Sequence, residues 1–211
     1  MRWLILLARM AALTTLVWAL LTRADCAFVE PTCLVTNLFG CFTIHSNLML
    51  LVLLLVAVPY GLRSGLEPRW LTAVRTLVTT YMVVTGVTFA VMVANAQMFS
   101  YLSAMPLPTI ILHFVLPPYA VLDFLLAPGR RRLPWSLMWV SLSYPVLWGA
   151  YTLVRGPMVG WYPYTFLNPS AVGGYDVVAF YATALAVFIL VAAFAAAAAS
   201  RLPRAPAAGV S

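Results

Sequence analysis

Six stretches of this chain, at roughly 4–22, 38–61, 72–94, 106–126, 134–154 and 176–200, are each apolar over about the 20 residues a helix needs to cross a bilayer core. A chain built this way has few options. In hydrocarbon every backbone N–H and C=O must be satisfied within the protein, and continuous apolar runs of this length manage that as α-helices. Composition agrees: 64% of the 211 residues are hydrophobic and 8% are charged, against roughly 25% charged in an ordinary soluble domain. The expected fold is all-α, an integral membrane bundle of six transmembrane helices. Residues 1–204 form its single domain, and 205–211 form a short disordered cytoplasmic tail.

The formal net charge of +7 is distributed in a way that argues for a membrane and against nucleic acid. Arg2, Arg63, Arg69, Arg75, Arg130, Arg131, Arg132, Arg201 and Arg204 fall toward one end of the spans, while Arg23 and Arg155 fall toward the other. By the positive-inside rule both termini are then cytoplasmic. Arg9 interrupts the first span close enough to its inner end that its side chain is expected to snorkel to the headgroups. It also breaks the apolar region that a signal peptide would need, and no small-x-small cleavage site follows. Every basic residue is Arg and Ala is abundant, as in a GC-rich genome, which points to a bacterial inner membrane. Cys26 and Cys33 fall in the first outward loop, where a disulfide and two free thiols fit equally; Cys41 is left over just inside the second span, and no metal-type spacing occurs.

Against this apolar background the polar residues stand out, because each carries a desolvation cost in lipid. At about 100° per residue, Thr43, Ser46 and Asn47 share one face of the second span, and Cys41 with His45 share the opposite face. In the fourth span Thr109, His113 and Pro117 form a stripe, and Pro117 lacks the amide that would have bonded the His113 carbonyl. Thr43 and His113 both come out roughly 8–11 Å below the outer surface. Asp123 lies about 15 Å further along the fourth span, too far to orient that histidine; pairing with arginines near the inner surface is its expected role. The acidic residue best placed for the outer site is Asp176.

These residue types suit ester hydrolysis. A threonine hydroxyl becomes a nucleophile when a base removes its proton, and neutral imidazole suits that task near neutral pH. Thr43 is the candidate nucleophile and His113 its base, with the Asn47 amide as oxyanion donor and Ser46 assisting; the residues alone fit equally a Thr43 that bonds back to its own helix and a His113 that satisfies a neighbouring carbonyl. The third span adds Tyr81, Thr85 and Thr88 at helical spacing, read first as hydrogen-bond glue between helices and otherwise as facing a cavity, with Gly86 permitting close helix approach. After the fifth span an aromatic, Pro- and Gly-containing loop with Trp161, Tyr162 and Tyr164 reads either as an interfacial aromatic belt or as a lid over that cavity.

The stretch Phe42 to Leu48, Thr85-Gly86, Leu112-His113 with Pro117 and Asp123, Tyr144-Pro145, and Arg155-Gly156 with Gly160 to Tyr164 resemble the successive landmarks of the androgen-induced-protein-like family of six-span membrane proteins, in its bacterial branch. The resemblance runs from the second span to the sixth. It implies a threonine hydrolase of fatty acid esters of hydroxy fatty acids, with the nucleophile at Thr43 and the histidine at His113. Membrane lipids and a fatty acyl ester are the implied partners, with no metal or organic cofactor and no protein partner. The chain departs from the family pattern at His45, Thr165 and Asn168, where similar proteins usually carry Gln, Pro and Asp. Two other readings of the same polar residues stay open: a non-enzymatic membrane protein that binds lipid or transports a small solute, and an electron carrier with haem between His45 and His113.

Overall fold

Backbone hydrogen bonding closes within each apolar run, and every element among the described residues is helical. The computed structural model of the chain describes residues 2–29, 35–63, 68–95, 105–127 and 130–201. Six helices are long and apolar enough to cross a membrane among these residues. They are α1 (Arg2–Val29), α2 (Phe42–Leu62), α3 (Arg69–Asn95), α4 (Leu107–Leu126), α5 (Leu137–Val159) and α6 (Tyr175–Ala199). The protein is a multi-pass integral membrane protein. The Cys33 residue, the Cys26 side chain and the 205–211 tail lie outside the described residues.

Helix α3 is the hub and packs on α2, α4 and α6, while α1 covers α2 and α4. Half of the α2 and α3 spans is buried against 17% of α6 and 11% of α5, so the interior belongs to the first four helices and the last two stand outside them. Leu50, Leu54, Met82, Leu112 and Leu116 form the centre of the core. Outward side chains such as Leu147, Val154 and Phe180 are apolar, as a lipid-facing surface requires. Hydrocarbon around the bundle removes most of the hydrophobic drive for helix association, so close packing and internal polar bonds take over. Gly86 supplies the first: a Cβ there would stand 3.0 Å from both the His113 carbonyl oxygen and Pro117 Cβ, so only glycine lets α3 and α4 approach this closely.

A charge cluster supplies the second and corrects the expectation for Arg9. Its Nε donates to Asp123 Oδ1 at 2.7 Å, its Nη1 donates to the Ala57 carbonyl at 3.2 Å, and Arg75 Nη1 donates to the other Asp123 oxygen. Arg9 and Arg75 are each 1% exposed, so Arg9 does not snorkel. A guanidinium within reach of a carboxylate inside the bundle loses less by pairing than by stretching toward water. The cluster ties α1, α2, α3 and α4 together.

Helix boundaries also move. A turn over Phe39–Gly40 separates the short helix Val35–Leu38 from α2, which starts at Phe42 instead of near 38. Helix α5 runs past its expected end to Val159, where Gly160 takes the left-handed conformation at φ 64°.

Candidate active site

Because α2 starts at Phe42, Thr43 is the second residue of a helix, in the turn where backbone N–H groups have no partner four residues back. The polar face falls as its spacing predicts. Thr43, Ser46 and Asn47 are buried, whereas Cys41 and His45 are half-buried on the other side, His45 edge-on to Tyr144. Ser46 Oγ donates to the Thr43 carbonyl at 3.0 Å and lies 2.8 Å from Thr85 Oγ1, so Thr85 acts as a bond between helices as well as a cavity wall. Cys41 Sγ donates to the Asn37 carbonyl, and burial raises its thiol above the ordinary range, away from thiolate chemistry.

His113 occupies a π-helical segment of α4, Ile111–Val115. There the Leu116 N–H bonds the Ile111 carbonyl, a five-residue step. The Leu112 carbonyl is thereby orphaned, since Leu116 is engaged and the next residue is Pro117, which has no N–H. Asn47 Nδ2 fills the gap at 3.4 Å and also donates to the Thr43 carbonyl at 2.9 Å. Both amide hydrogens are thus committed. The expected role of Asn47 as oxyanion donor gives way to a different one: it clamps the helix carrying Thr43 to the irregular segment carrying His113.

Across this clamp Thr43 Oγ1 lies 3.2 Å from His113 Nε2. The other ring nitrogen, Nδ1, is 2.8 Å from the Thr109 carbonyl oxygen, which can only accept. Nδ1 therefore carries the proton in the neutral ring, and Nε2 presents its lone pair to the threonine hydroxyl. A carbonyl, not a carboxylate, orients the imidazole. Asp176 is exposed in the first turn of α6, and Asp123 is held by Arg9 and Arg75. Phe89 stacks on the His113 ring at 3.8 Å between centroids, fixing its plane.

The aromatic loop after α5 docks on the same end of α2. Arg155 Nη2 donates to Asn37 Oδ1 at 2.7 Å, and Trp148 Nε1 donates to the Gly40 carbonyl at 3.0 Å. Trp161 lies beneath the Arg155 guanidinium and against Gly40, where a Cβ would come within 2.9 Å of the indole, and Tyr162 packs on Gly156. With the loop so held, the Tyr164 hydroxyl accepts from the Thr43 N–H at 3.3 Å and lies 3.2 Å from Thr43 Oγ1. Burial pushes its phenol up to about 12, so it keeps its proton. Tyr164 stacks on Phe166 and meets Trp148 edge-on. Tyr81 packs edge-on against Phe42 in the adjoining aromatic cluster, behind the cavity wall.

From Thr43 and Tyr164 a cavity of about 360 Å³ extends between α3, α5 and α6, walled by apolar residues including Val84, Phe89, Trp148, Leu185 and Ile189. Among the described residues its polar lining lies at the Thr43 end, with Tyr164, and at Thr85 and Thr88. His45 and His113 do not face a common space: His113 is engaged at both ring nitrogens and His45 turns toward Tyr144. The bond between Tyr164 and Thr43, the Thr109 carbonyl and the Phe89 stack all escaped sequence reasoning. The tandem Pro117-Pro118 is the trace from which the irregular helix is legible. Compared with known proteins, the chain matches no family model, no curated protein and no solved structure.

Proposed function

We propose that this protein is an intramembrane hydrolase of fatty acyl esters, with Thr43 as nucleophile and His113 as general base. The observation that carries the reading is the 3.2 Å approach of Thr43 Oγ1 to a ring nitrogen whose partner nitrogen is already pinned by the Thr109 carbonyl. A hydroxyl, a base and a group that orients the base are the parts nucleophilic catalysis needs. His113 Nε2 takes the hydroxyl proton as Thr43 Oγ1 bonds the ester carbonyl carbon and the carbonyl electron pair moves onto its oxygen. Collapse of that adduct expels the alcohol oxygen, which takes the proton from His113, and leaves an acyl-threonine. Water then repeats the attack, giving up its proton to His113, and Thr43 leaves with that proton as the carboxylic acid is released.

The apolar cavity beginning at Thr43 supports a long acyl chain as the group transferred. The resemblance to the androgen-induced-protein-like family favours the same chemistry, and the arginine asymmetry favours a site in the outer half of a bacterial inner membrane. The same cavity also suits a lipid binder without catalysis, which the following test separates. A fluorophosphonate probe is expected to label the purified protein on Thr43, with labelling lost in Thr43→Ala and in His113→Ala. Labelling of a different residue, or equal labelling of Thr43→Ala, would overturn the assignment.

Gly149 gives an independent probe of the cavity. It lines the cavity wall and a Cβ built there meets nothing within 4 Å, so a side chain can start from this position without a clash. Gly149→Phe is expected to cut kcat/KM for long-chain esters by about 10-fold or more, sparing short-chain esters, since each displaced methylene contact is worth roughly 1 kcal/mol or more. Equal effects on both chain lengths would place the acyl chain elsewhere.

A further inference from the structure

We infer that the Tyr164 hydroxyl and the backbone N–H of Thr43 together form the oxyanion site of this enzyme. The inference rests on the hydrolase reading and adds a catalytic residue to it. Nucleophilic attack at an ester carbonyl places a full negative charge on an oxygen one bond from the carbon that Thr43 Oγ1 attacks. Fixed donors must wait for it in a poorly hydrated site. The polar side chains nearest Thr43 are already spent: Asn47 gives its amide hydrogens to the Thr43 and Leu112 carbonyls, and Ser46 Oγ is engaged with the Thr43 carbonyl and Thr85.

Two donors at this site bond to each other's residue and can turn to a substrate oxygen at one point. The Thr43 N–H belongs to the first turn of α2, where no intrahelical acceptor exists and the positive end of the helix dipole favours negative charge. Its bond goes to the Tyr164 hydroxyl oxygen, at 3.3 Å, and that oxygen also lies 3.2 Å from the nucleophile. The phenol oxygen thus sits beside the space that a carbonyl oxygen occupies when its carbon is within reach of Thr43 Oγ1. With the Thr43 hydroxyl donating to His113, the phenol hydrogen rests on Thr43 Oγ1; when a substrate oxygen takes over the Thr43 N–H, the phenol turns that hydrogen onto the same oxygen. A phenol held protonated up to about 12 is a donor throughout the working pH range. Its ring is packed by Phe166 and Trp148, and its loop is held by Trp161 against the Arg155 guanidinium and Gly40, so the donor needs little reorganisation as charge develops.

Tyr164→Phe keeps the ring and removes only the hydroxyl. With a p-nitrophenyl ester in detergent micelles, kcat is expected to fall about 10²–10³-fold, the usual loss of one oxyanion donor, with KM nearly unchanged. A second readout follows the oxygen itself: the parent protein should strongly prefer an ester to the matching thionoester, whose sulfur accepts hydrogen bonds poorly, and Tyr164→Phe should shrink that preference. A residue that only holds the loop would change KM and melting temperature and leave the ester-to-thionoester ratio alone. A Tyr164→Phe protein with parent kcat and parent ratio, in which Thr43→Ala is inactive, overturns the role of Tyr164 and leaves the hydrolase reading standing. A folded Thr43→Ala protein with parent activity overturns both.

Discussion

Thr43→Ala and His113→Ala are each expected to lower kcat for acyl ester hydrolysis by about 10³-fold or more, and the double variant should be little worse than either alone. Residues that act as a unit are not additive: once the hydroxyl is gone the base has no proton to take, and once the base is gone the hydroxyl stays a poor nucleophile. The 3.2 Å contact between them is what the proposal of such a unit rests on. His45→Gln, half-buried on the other face of α2, should keep most of the activity. The measurement is steady-state turnover on variants that remain monodisperse with parent melting curves. Additive losses, or parent turnover in folded Thr43→Ala, would end the threonine-hydrolase reading.

The largest stability effect is expected at the opposite end of the bundle. Asp123→Leu removes the carboxylate shared by the Arg9 and Arg75 guanidinium groups, both 1% exposed. Breaking a buried ion pair by deleting one sign typically costs about 3–5 kcal/mol, because the remaining charge stays desolvated. Thermal melting in detergent should show a large drop for Asp123→Leu and recovery of most of it when Arg9→Met and Arg75→Met are added, since a fully apolar replacement buries no charge. A single variant that melts with the parent would show that the cluster carries no stability.

That Thr43 and His113 come together agrees with the expectation, but counting residues does not explain it: α2 starts at Phe42, so Thr43 is its second residue, while His113 is the seventh of α4. Facial sorting of Thr43, Ser46 and Asn47 from Cys41 and His45 was legible because helical periodicity is local. The role of Asn47 was not. Whether its amide points at a ligand or at a carbonyl depends on the π segment of α4, which orphans Leu112 C=O sixty-five positions away. Arg9 was misjudged because a lone arginine in an apolar run reads as snorkelling until a carboxylate from another helix is known to lie beside it.

Sequence alone thus determined that the chain has six helices long and apolar enough to span a membrane, and which polar side chains share a helix face, because hydrocarbon forces each apolar run to satisfy its own backbone and helical geometry does the rest. Only the tertiary structure decided which of those side chains bond to one another. Thr43, His113 and Tyr164 meet because α2 begins at Phe42, α4 loosens into a π turn before Pro117, and Trp161, lying on the Arg155 guanidinium and against Gly40, holds the aromatic loop at the entry to α2. The π turn has a local trace in Pro117-Pro118, but the approach of α4 and of the aromatic loop to the start of α2 joins segments far apart in the chain, and no local periodicity encodes it.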